Sequence, residues 1–358
     1  MTTTMTMANA NAKTFNNSLP DAAAPQKHSR AQLAKDLLIL SRFNRYNPFL
    51  ATFSGVWATL LAGASQCDGN NNNNNDPRST TTTTTHVFQQ ALLVFISGYL
   101  FCGAGMVWND WVDVKIDQQV ARTNKRPLAA GRVTSLQALI WMMAQYAASW
   151  VIMVYTLENK NVLEAMIPVT ISTILYPYGK RSFFKAIYFY PQYFLGFTLG
   201  WPSVIGWLAI KGHTQSLQAN IAESSALAVT VFAWTLYLNT AYSYQDIEGD
   251  RKARVNSIYF LAGPAYIHYF VGFLAGLVVF AIAVQLMGSQ GQGGSQWLWG
   301  SWFCVWGWSF AGQLLRFSSG DPASGGGLHK ENFALGVWTV VACAVELVLK
   351  CGGSKCQA

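Results

Sequence analysis

The sequence predicts an all-α integral membrane protein, a bundle of about nine transmembrane helices, and three observations predict it. Apolar residues make up 51% of the chain and charged residues only 11%, well under the roughly 25% charge of a soluble domain. Mean hydropathy is positive, at +0.21. The third observation is a set of separated apolar stretches, each near the ~20 residues that a helix needs to cross the hydrocarbon. They lie near 47–64, 87–107, 134–157, 161–178, 185–210, 219–243, 257–286, 296–317 and 331–350.

Taken in order, the segments alternate with connections of opposite character. A basic arm (Lys13, Lys27, Arg30, Lys35, Arg42, Arg45) precedes the first segment, one of the two shortest. The stretch between segments one and two, 67–86, is a low-complexity run of Asn and Thr and reads as a loop without structure. Segment two ends on NDWVDVKID (109–117), and the connection to segment three carries Lys115, Arg122, Lys125, Arg126 and Arg132. Lys180, Arg181 and Lys185 follow segment four, the other short one. Segment five, AIYFYPQYFLGFTLGWPSVIGW, mixes rings with Pro191, Pro202 and three glycines, as a kinked, closely packed membrane helix would. Segment six ends on DIEGD, and Arg251, Lys252 and Arg254 follow it. Segment eight carries five tryptophans (297, 299, 302, 306, 308) and reads as an interfacial belt. Arg316 and Lys330 lie between segments eight and nine.

With the N-terminus in the cytosol, nineteen of the 24 Lys and Arg fall on the cytosolic side, and only Arg78, Lys160, Lys211, Lys350 and Lys355 remain for the other. That is the bias of the positive-inside rule, and a miscounted helix in the middle would scramble it. The net charge of +8 is therefore explained by orientation and anionic lipid, and no nucleic-acid partner is implied. The expected organisation is a disordered arm over 1–37, one membrane domain over 38–350, and a tail over 351–358. The first 32 residues have no apolar stretch for a secretory signal and are not Arg-rich as a mitochondrial presequence would be. An internal membrane such as the endoplasmic reticulum is favoured over the mitochondrial inner membrane. The six cysteines (67, 102, 304, 343, 351, 356) show no metal-ligand spacing, and those inside apolar segments read as small hydrophobes.

Charge is scarce, yet Asp110, Asp113 and Asp117 share nine residues, and Asp246 and Asp250 share five. Both clusters end an apolar segment on the same predicted face, and both are followed by a basic run. Residues spaced three and four apart share a helical face, where like charges repel, so something positive is expected between them. Several hard oxygens on one face suit Mg²⁺, which takes one or two carboxylates together with substrate phosphates. Arg122, Lys125, Arg126, Lys180 and Arg181 on the same side could clamp the rest of a diphosphate, although topology alone also places basic residues there. A charged loop at a membrane exit would explain one Asp, not two same-side clusters. A cation pathway is a rival reading, but transport acids lie near the midplane and these lie at an edge.

NDxxDxxxD at 109–117, VARTNKRPLAAG at 120–131, YxxxK at 176–180 and DxxxD at 246–250 together resemble the UbiA superfamily of intramembrane aromatic prenyltransferases. The resemblance spans roughly residues 38–350. It implies a helical bundle around a central cavity, with the Asp motifs at its cytosolic edge holding Mg²⁺ and the diphosphate of an isoprenoid donor. Asn109, Asp110, Asp113 and Asp117 would form the first metal motif, and Asp246 and Asp250 the second. Arg122, Lys125, Arg126, Tyr176, Lys180 and Arg181 would bind diphosphate, and Asp110, Asp113, Asp246, Asp250 and Lys180 would carry catalysis. The opening LSRFNRYNPFL differs from ubiquinone-pathway members at Asn44 and Tyr46. YSYQDIEGDRKARVNS is similar to the fungal meroterpenoid branch, except that Arg254 stands in place of Gly and Asn256 in place of Lys. That branch implies transfer of a farnesyl-type chain to a phenolic or polyketide-derived aromatic acceptor, with Arg42, Asn44, Asn47, Tyr193 and Tyr242 expected around the acceptor. The alternative within the family is 4-hydroxybenzoate polyprenyl transfer.

Overall fold

A computed structural model describes residues 29–70, 84–120, 122–289 and 295–353. These residues are helical apart from turns and one isolated bridge between Ser318 and Asp321. The helices are α1 (Arg30–Leu40), α2 (Asn47–Asn70), α3 (Thr84–Val112), α4 (Val114–Asp117), α5 (Ser135–Thr156), α6 (Val162–Leu175), α7 (Ser182–Ala186), α8 (Pro191–Gly200), α9 (Pro202–Lys211), α10 (Leu217–Ser243), α11 (Ile247–Lys252), α12 (Tyr259–Ser289), α13 (Gln296–Arg316) and α14 (Leu328–Gly353).

Helix lies within each apolar segment that the sequence marks out, and among the described residues seven stretches are long and apolar enough to cross a membrane. The other two differ for separate reasons. α6 has only 14 residues and holds Pro168, and α13, with 21, is lowered in hydropathy by its tryptophans, Gln and Arg. α1 starts at Arg30, inside the arm expected to lack structure, because Ser29 Oγ accepts from the Gln32 N–H and caps it. α2 and α3 likewise extend into the low-complexity stretch as far as Asn70 and from Thr84. Residues 1–28, 71–83 and 354–358, on which the remaining disorder and tail expectations fall, lie outside the described residues.

Outward faces are apolar. On α12, Tyr269, Phe273, Leu277, Phe280, Val284 and Met287 are exposed at helical spacing, and Leu136, Ile140 and Val151 form a similar stripe on α5. Stripes of this extent are not left to water by a monomer, and every backbone hydrogen bond of such a face is satisfied within the helix, as lipid requires. The chain is a multi-pass integral membrane protein.

Small residues bring the inner helices together. A Cβ at Gly206 on α9 would sit 2.2 Å from the Gly55 carbonyl oxygen on α2, so the two backbones touch with no room for a methyl group. Segment five is broken between Gly200 and Pro202, which opens α9 at its first turn; proline there needs no hydrogen-bond acceptor. α12 kinks at Gly263, whose φ of 63° suits glycine. The tryptophan belt expected on α13 divides in two. Trp297 and Trp308 are exposed, but Trp302 and Trp306 are buried and both donate Nε1–H to Thr339 Oγ1 on α14, at 2.9 and 3.1 Å. A disulfide, Cys67–Cys351, joins the ends of α2 and α14 with its Cα atoms 5.2 Å apart.

Candidate active site

The first acidic motif straddles a bend. α3 carries Asn109 and Asp110 on its last turn, and the chain bends at Asp113 (φ −93°, ψ 4°) into α4. The Asp113 N–H still donates to the Asn109 carbonyl at 3.0 Å, and the Asp117 N–H to the Asp113 carbonyl at 2.9 Å. Four-residue steps therefore persist through the bend, and Asn109, Asp113 and Asp117 come round on one side.

The basic loop that follows is anchored from below. Leu128 and Val133 are buried in a small cluster with Leu40, Val107 and Ala138. Arg132 Nε donates to buried Asp36 on α1 at 3.1 Å. This sets Arg126 beneath the motif, where its Nη1 donates to Asp110 at 2.9 Å and to Asp117 at 2.7 Å. Arg42, in the turn after α1, donates Nη2 to both Asp110 oxygens at 2.9 and 2.8 Å. Lys180 Nζ lies 2.7 Å from Asp113 Oδ2 and 2.7 Å from Asn109 Oδ1, with its ammonium 5.0 Å from the centre of the Tyr176 ring. Arg181 Nη2 reaches the other Asp113 oxygen at 2.8 Å. Four cations thus face three buried carboxylates.

The second motif follows α10: Asp246 closes a 3-10 turn over 244–246, and Asp250 lies in α11. Asp246 is gripped by Arg122 through Nε at 2.5 Å and Nη2 at 2.7 Å, so the loop after the first motif reaches across to the second. Asp250 accepts a short hydrogen bond from the Tyr259 hydroxyl.

The charged groups feel this arrangement. Burial, opposed by Arg126 and reinforced by Asp110, holds the Asp117 carboxyl above the usual range. Burial alone would lower Lys180, but the charge of Asp113 above all, with Tyr176 adding to it, outweighs burial, so its ammonium is held above the ordinary lysine range. Arg126 shifts the same way: burial opposes its charge, and Asp110 and Asp117 more than restore it.

Both motifs open on one cavity of about 1100 Å³. Its wall includes Asn109, Asp113, Asp117, Asp246 and Asp250, the basic residues Arg42, Arg122, Lys125, Arg126 and Lys180, and Asn44, Asn47, Tyr176 and Tyr242. The rest is largely apolar, with Phe49, Leu50, Phe101, Leu195, Leu199 and Phe333. Three residues expected at the site stand off this wall. Asp110 is 1% exposed and faces its two arginines. Arg181 sits behind Asp113. Tyr193 belongs to a ring cluster with Phe189, Tyr190 and Phe232; its neighbour Gln192 takes the place on the wall.

Other residues enter to which the sequence assigned no role at the site. Tyr259, fully buried, fixes Asp250. Asn256 is buried and donates Nδ2–H to the carbonyls of Gly179 and Phe189 at 2.9 and 2.8 Å, while its N–H donates to the Lys180 carbonyl at 2.9 Å. It ties the turn that carries Lys180. Arg254, in place of the family's glycine, has φ 55°, the left-handed backbone that a glycine would adopt without strain. His329 stacks on Tyr242 with ring centres 3.7 Å apart, and with Lys330 and Phe333 it brings α14 to the cavity. The GGG run before α14 was the available signal, because a Cβ at Gly325 would meet the Ala241 carbonyl at 2.0 Å.

Among the described residues, no three His, Cys, Asp or Glu side chains close on one point as a metal cage. The oxygens come in pairs instead: Asn109 with Asp113, already converging on one ammonium, and Asp246 with Asp250. Paired hard oxygens beside a basic wall fit Mg²⁺, which keeps few protein ligands and completes its shell with phosphate and water.

Comparison with known proteins agrees with this picture. The UbiA prenyltransferase family matches residues 79–327. The chain is 70% identical over 328 residues to polyprenyl transferase esdpC of Penicillium shearii, covering 92% of this chain and 96% of that one. It is 58% identical over 327 residues to polyprenyl transferase cle5 of Aspergillus versicolor, covering 91% and 97%. Among solved structures, the apo form of a UbiA homologue from Aeropyrum pernix superposes with a TM-score of 0.63 at 22% identity, covering 82% of this chain and 97% of that one, a likeness of fold.

Proposed function

Because the chain belongs to the UbiA prenyltransferase family, we propose that it transfers a prenyl group, farnesyl in length, from an isoprenoid diphosphate to a carbon of a phenolic or polyketide-derived aromatic acceptor. We place this reaction in meroterpenoid biosynthesis, with Mg²⁺ as cofactor. We place the protein in the endoplasmic reticulum or another internal membrane, all nine apolar segments crossing and the N-terminus in the cytosol. One observation carries the reading. Two acidic motifs and their basic partners share one cavity whose remaining wall is largely apolar, which suits a single ligand that is highly charged at one end and greasy at the other.

Asn109, Asp113, Asp117, Asp246 and Asp250 would hold Mg²⁺, which when bound supplies positive charge against the negative charge that grows on the leaving diphosphate. Arg122, Lys125, Arg126 and Lys180 bind the diphosphate oxygens, and Tyr176 keeps the Lys180 ammonium over its ring. Asp110 acts behind them, holding Arg42 and Arg126 in position. The allylic C–O bond breaks and its electron pair leaves with the diphosphate. The apolar wall excludes water from the resulting carbocation, and the rings of Phe49, Phe101 and Phe333 can stabilise it through their faces. An electron-rich ring carbon of the acceptor forms the new C–C bond, and the ring then loses a proton. Arg42, Asn44, Asn47 and Tyr242 line the same cavity and are the residues proposed around the acceptor.

The test is product formation by microsomes supplied with farnesyl diphosphate and a panel of phenolic acids and polyketides. 4-Hydroxybenzoate belongs in the panel, because its exclusive use would favour the ubiquinone-type reading. Activity should need Mg²⁺ and vanish with a chelator. Asp113→Ala and Asp246→Ala should each lower turnover by about 10²–10³, the scale of losing one preorganised charge-stabilising group. Near-normal turnover in both variants would sink the metal assignment.

A further inference from the structure

We propose that the Cys67–Cys351 disulfide is formed in the cell and marks the face of the protein that lies in an oxidising lumen. It shares with the proposed function only the assignment of the acidic face to the cytosol, and needs nothing of the chemistry.

The bond lies at the far end of the molecule from the cavity. Asn47 at the start of α2 and His329 at the start of α14 both line the cavity. Cys67 is twenty residues further along α2, and Cys351 twenty-two further along α14. At 1.5 Å per residue these are about 30 and 33 Å, which is the thickness of the hydrocarbon core. The disulfide therefore sits at one membrane surface and the acidic motifs at the other.

Redox chemistry separates those surfaces. A cystine persists in the lumen of the secretory pathway, whereas cytosolic thiols are kept reduced. The charge distribution points the same way from unrelated residues. The basic side chains crowd the cavity end, while at the far end Lys211 is paired with Glu223 at 2.8 Å and Lys350 with Glu346 at 3.6 Å. Cys67 is buried and Cys351 partly buried, so access of an exchanging thiolate to the bond is restricted on the Cys67 side. In forming it, the two thiols give up two protons and two electrons to the disulfide of a thiol–disulfide oxidoreductase, which is reduced to its dithiol. The product is a covalent clasp between the first and last membrane helices, whose opposite ends shape the cavity.

The experiment uses the full chain, epitope-tagged, with a site for a specific protease inserted between residues 71 and 83, expressed in yeast. Microsomes are prepared with N-ethylmaleimide present throughout to block later oxidation. In sealed microsomes the inserted site should resist the protease, whereas the same site placed instead in the 122–132 connection of a second variant should be cut. After detergent is added, the 71–83 site should be cut, and the two fragments should run together at full length without reductant and separate with it. Cys67→Ser and Cys351→Ser should each give separate fragments without reductant, and Cys356→Ser should leave them joined. Fragments of the wild-type chain that part without reductant would overturn the disulfide. Cutting at 71–83 in sealed microsomes would overturn the orientation. Neither readout depends on turnover, so a failure of the prenyl-transfer reading would leave both results standing.

Discussion

Replacing Lys180 by methionine keeps the length and apolar stem of the side chain and removes only the ammonium. That ammonium makes two hydrogen bonds of 2.7 Å, to Asn109 and to Asp113, and its side chain is 20% exposed. Two losses should follow. The first is in stability. Removing one partner of a buried ion pair costs about 3–5 kcal/mol when the other charge is left alone, but Asp113 keeps Arg181 at 2.8 Å, so the loss should fall near the 1–3 kcal/mol of an unsatisfied polar group. The second is in catalysis. A fixed positive charge aimed at a leaving group is worth about 10²–10³ in turnover, or about 2.7–4 kcal/mol at 1.36 kcal/mol per decade. Because the folded-state pKa of Lys180 is raised, its stabilising contribution is complete below the ordinary lysine value and is lost only as pH rises through the higher one. The deficit should thus be flat across neutral pH. The assay is Mg²⁺-dependent diphosphate release from farnesyl diphosphate, alongside thermal stability in detergent. Adding Asp113→Asn to Lys180→Met should not recover stability, because Arg181 then loses its carboxylate partner, and should not recover turnover. Turnover within threefold of wild type in Lys180→Met, or turnover restored in the double variant, would show that Lys180 is only a structural counter-ion.

Three further substitutions probe the supports. Tyr259→Phe removes the hydroxyl that holds Asp250. A hydrogen bond to a charged group is worth about 1.5–3 kcal/mol of stability, so the melting temperature should fall; turnover should fall at least tenfold as Asp250 loses its orientation, and unchanged turnover would remove that orientation from the account. Asn256→Ala leaves the Gly179 and Phe189 carbonyls without their side-chain donor, at about 1–3 kcal/mol each; the melting temperature should drop and the KM for farnesyl diphosphate should rise, and Asn256→Asp, which cannot donate, should behave the same way. Gly206→Ala drives a methyl group to 2.2 Å from a backbone oxygen that has no room to move, so size-exclusion profiles should show loss of monodisperse protein, and a normal profile would contradict the close contact of α2 and α9.

The membrane architecture was legible because lipid leaves a strong mark on composition: seven of the apolar segments are helices able to span. The acidic motifs were legible because charge is scarce elsewhere. What the sequence hid was direction. Asn109, Asp113 and Asp117 are four apart, but Asp110 is one residue off that series, about 100° round the helix, and so points at Arg42 and Arg126 instead of the cavity. Gln192 and Tyr193 are separated in the same way. Trp302 and Trp306 have the composition of an interfacial belt, and only a threonine on another helix makes them core. Asn256 shows in the sequence only as a departure from the branch's Lys, yet it braces the turn of Lys180 from a distant segment. Cys67 and Cys351 are 284 residues apart, and no spacing rule connects cysteines at that range.

The pairing of the site removes the cost that bare carboxylates would otherwise bring to folding. Buried carboxylates without partners would be costly, and here Asp110, Asp113, Asp117 and Asp246 each have a basic partner within 2.9 Å. On the proposed reading Arg122, Arg126 and Lys180 are also diphosphate ligands, so their ion pairs with Asp246, Asp117 and Asp113 each stand in for two others: carboxylate with metal, and guanidinium or ammonium with phosphate. Exchanging one set for the other conserves the balance of charge only if metal and diphosphate enter together. Metal alone would strand the arginines, and diphosphate alone would strand the aspartates. Asp110 is exempt, because it stands off the cavity wall with both its oxygens taken by Arg42 and Arg126, and that exemption is what lets Arg126 stay in place while its other partner, Asp117, changes hands.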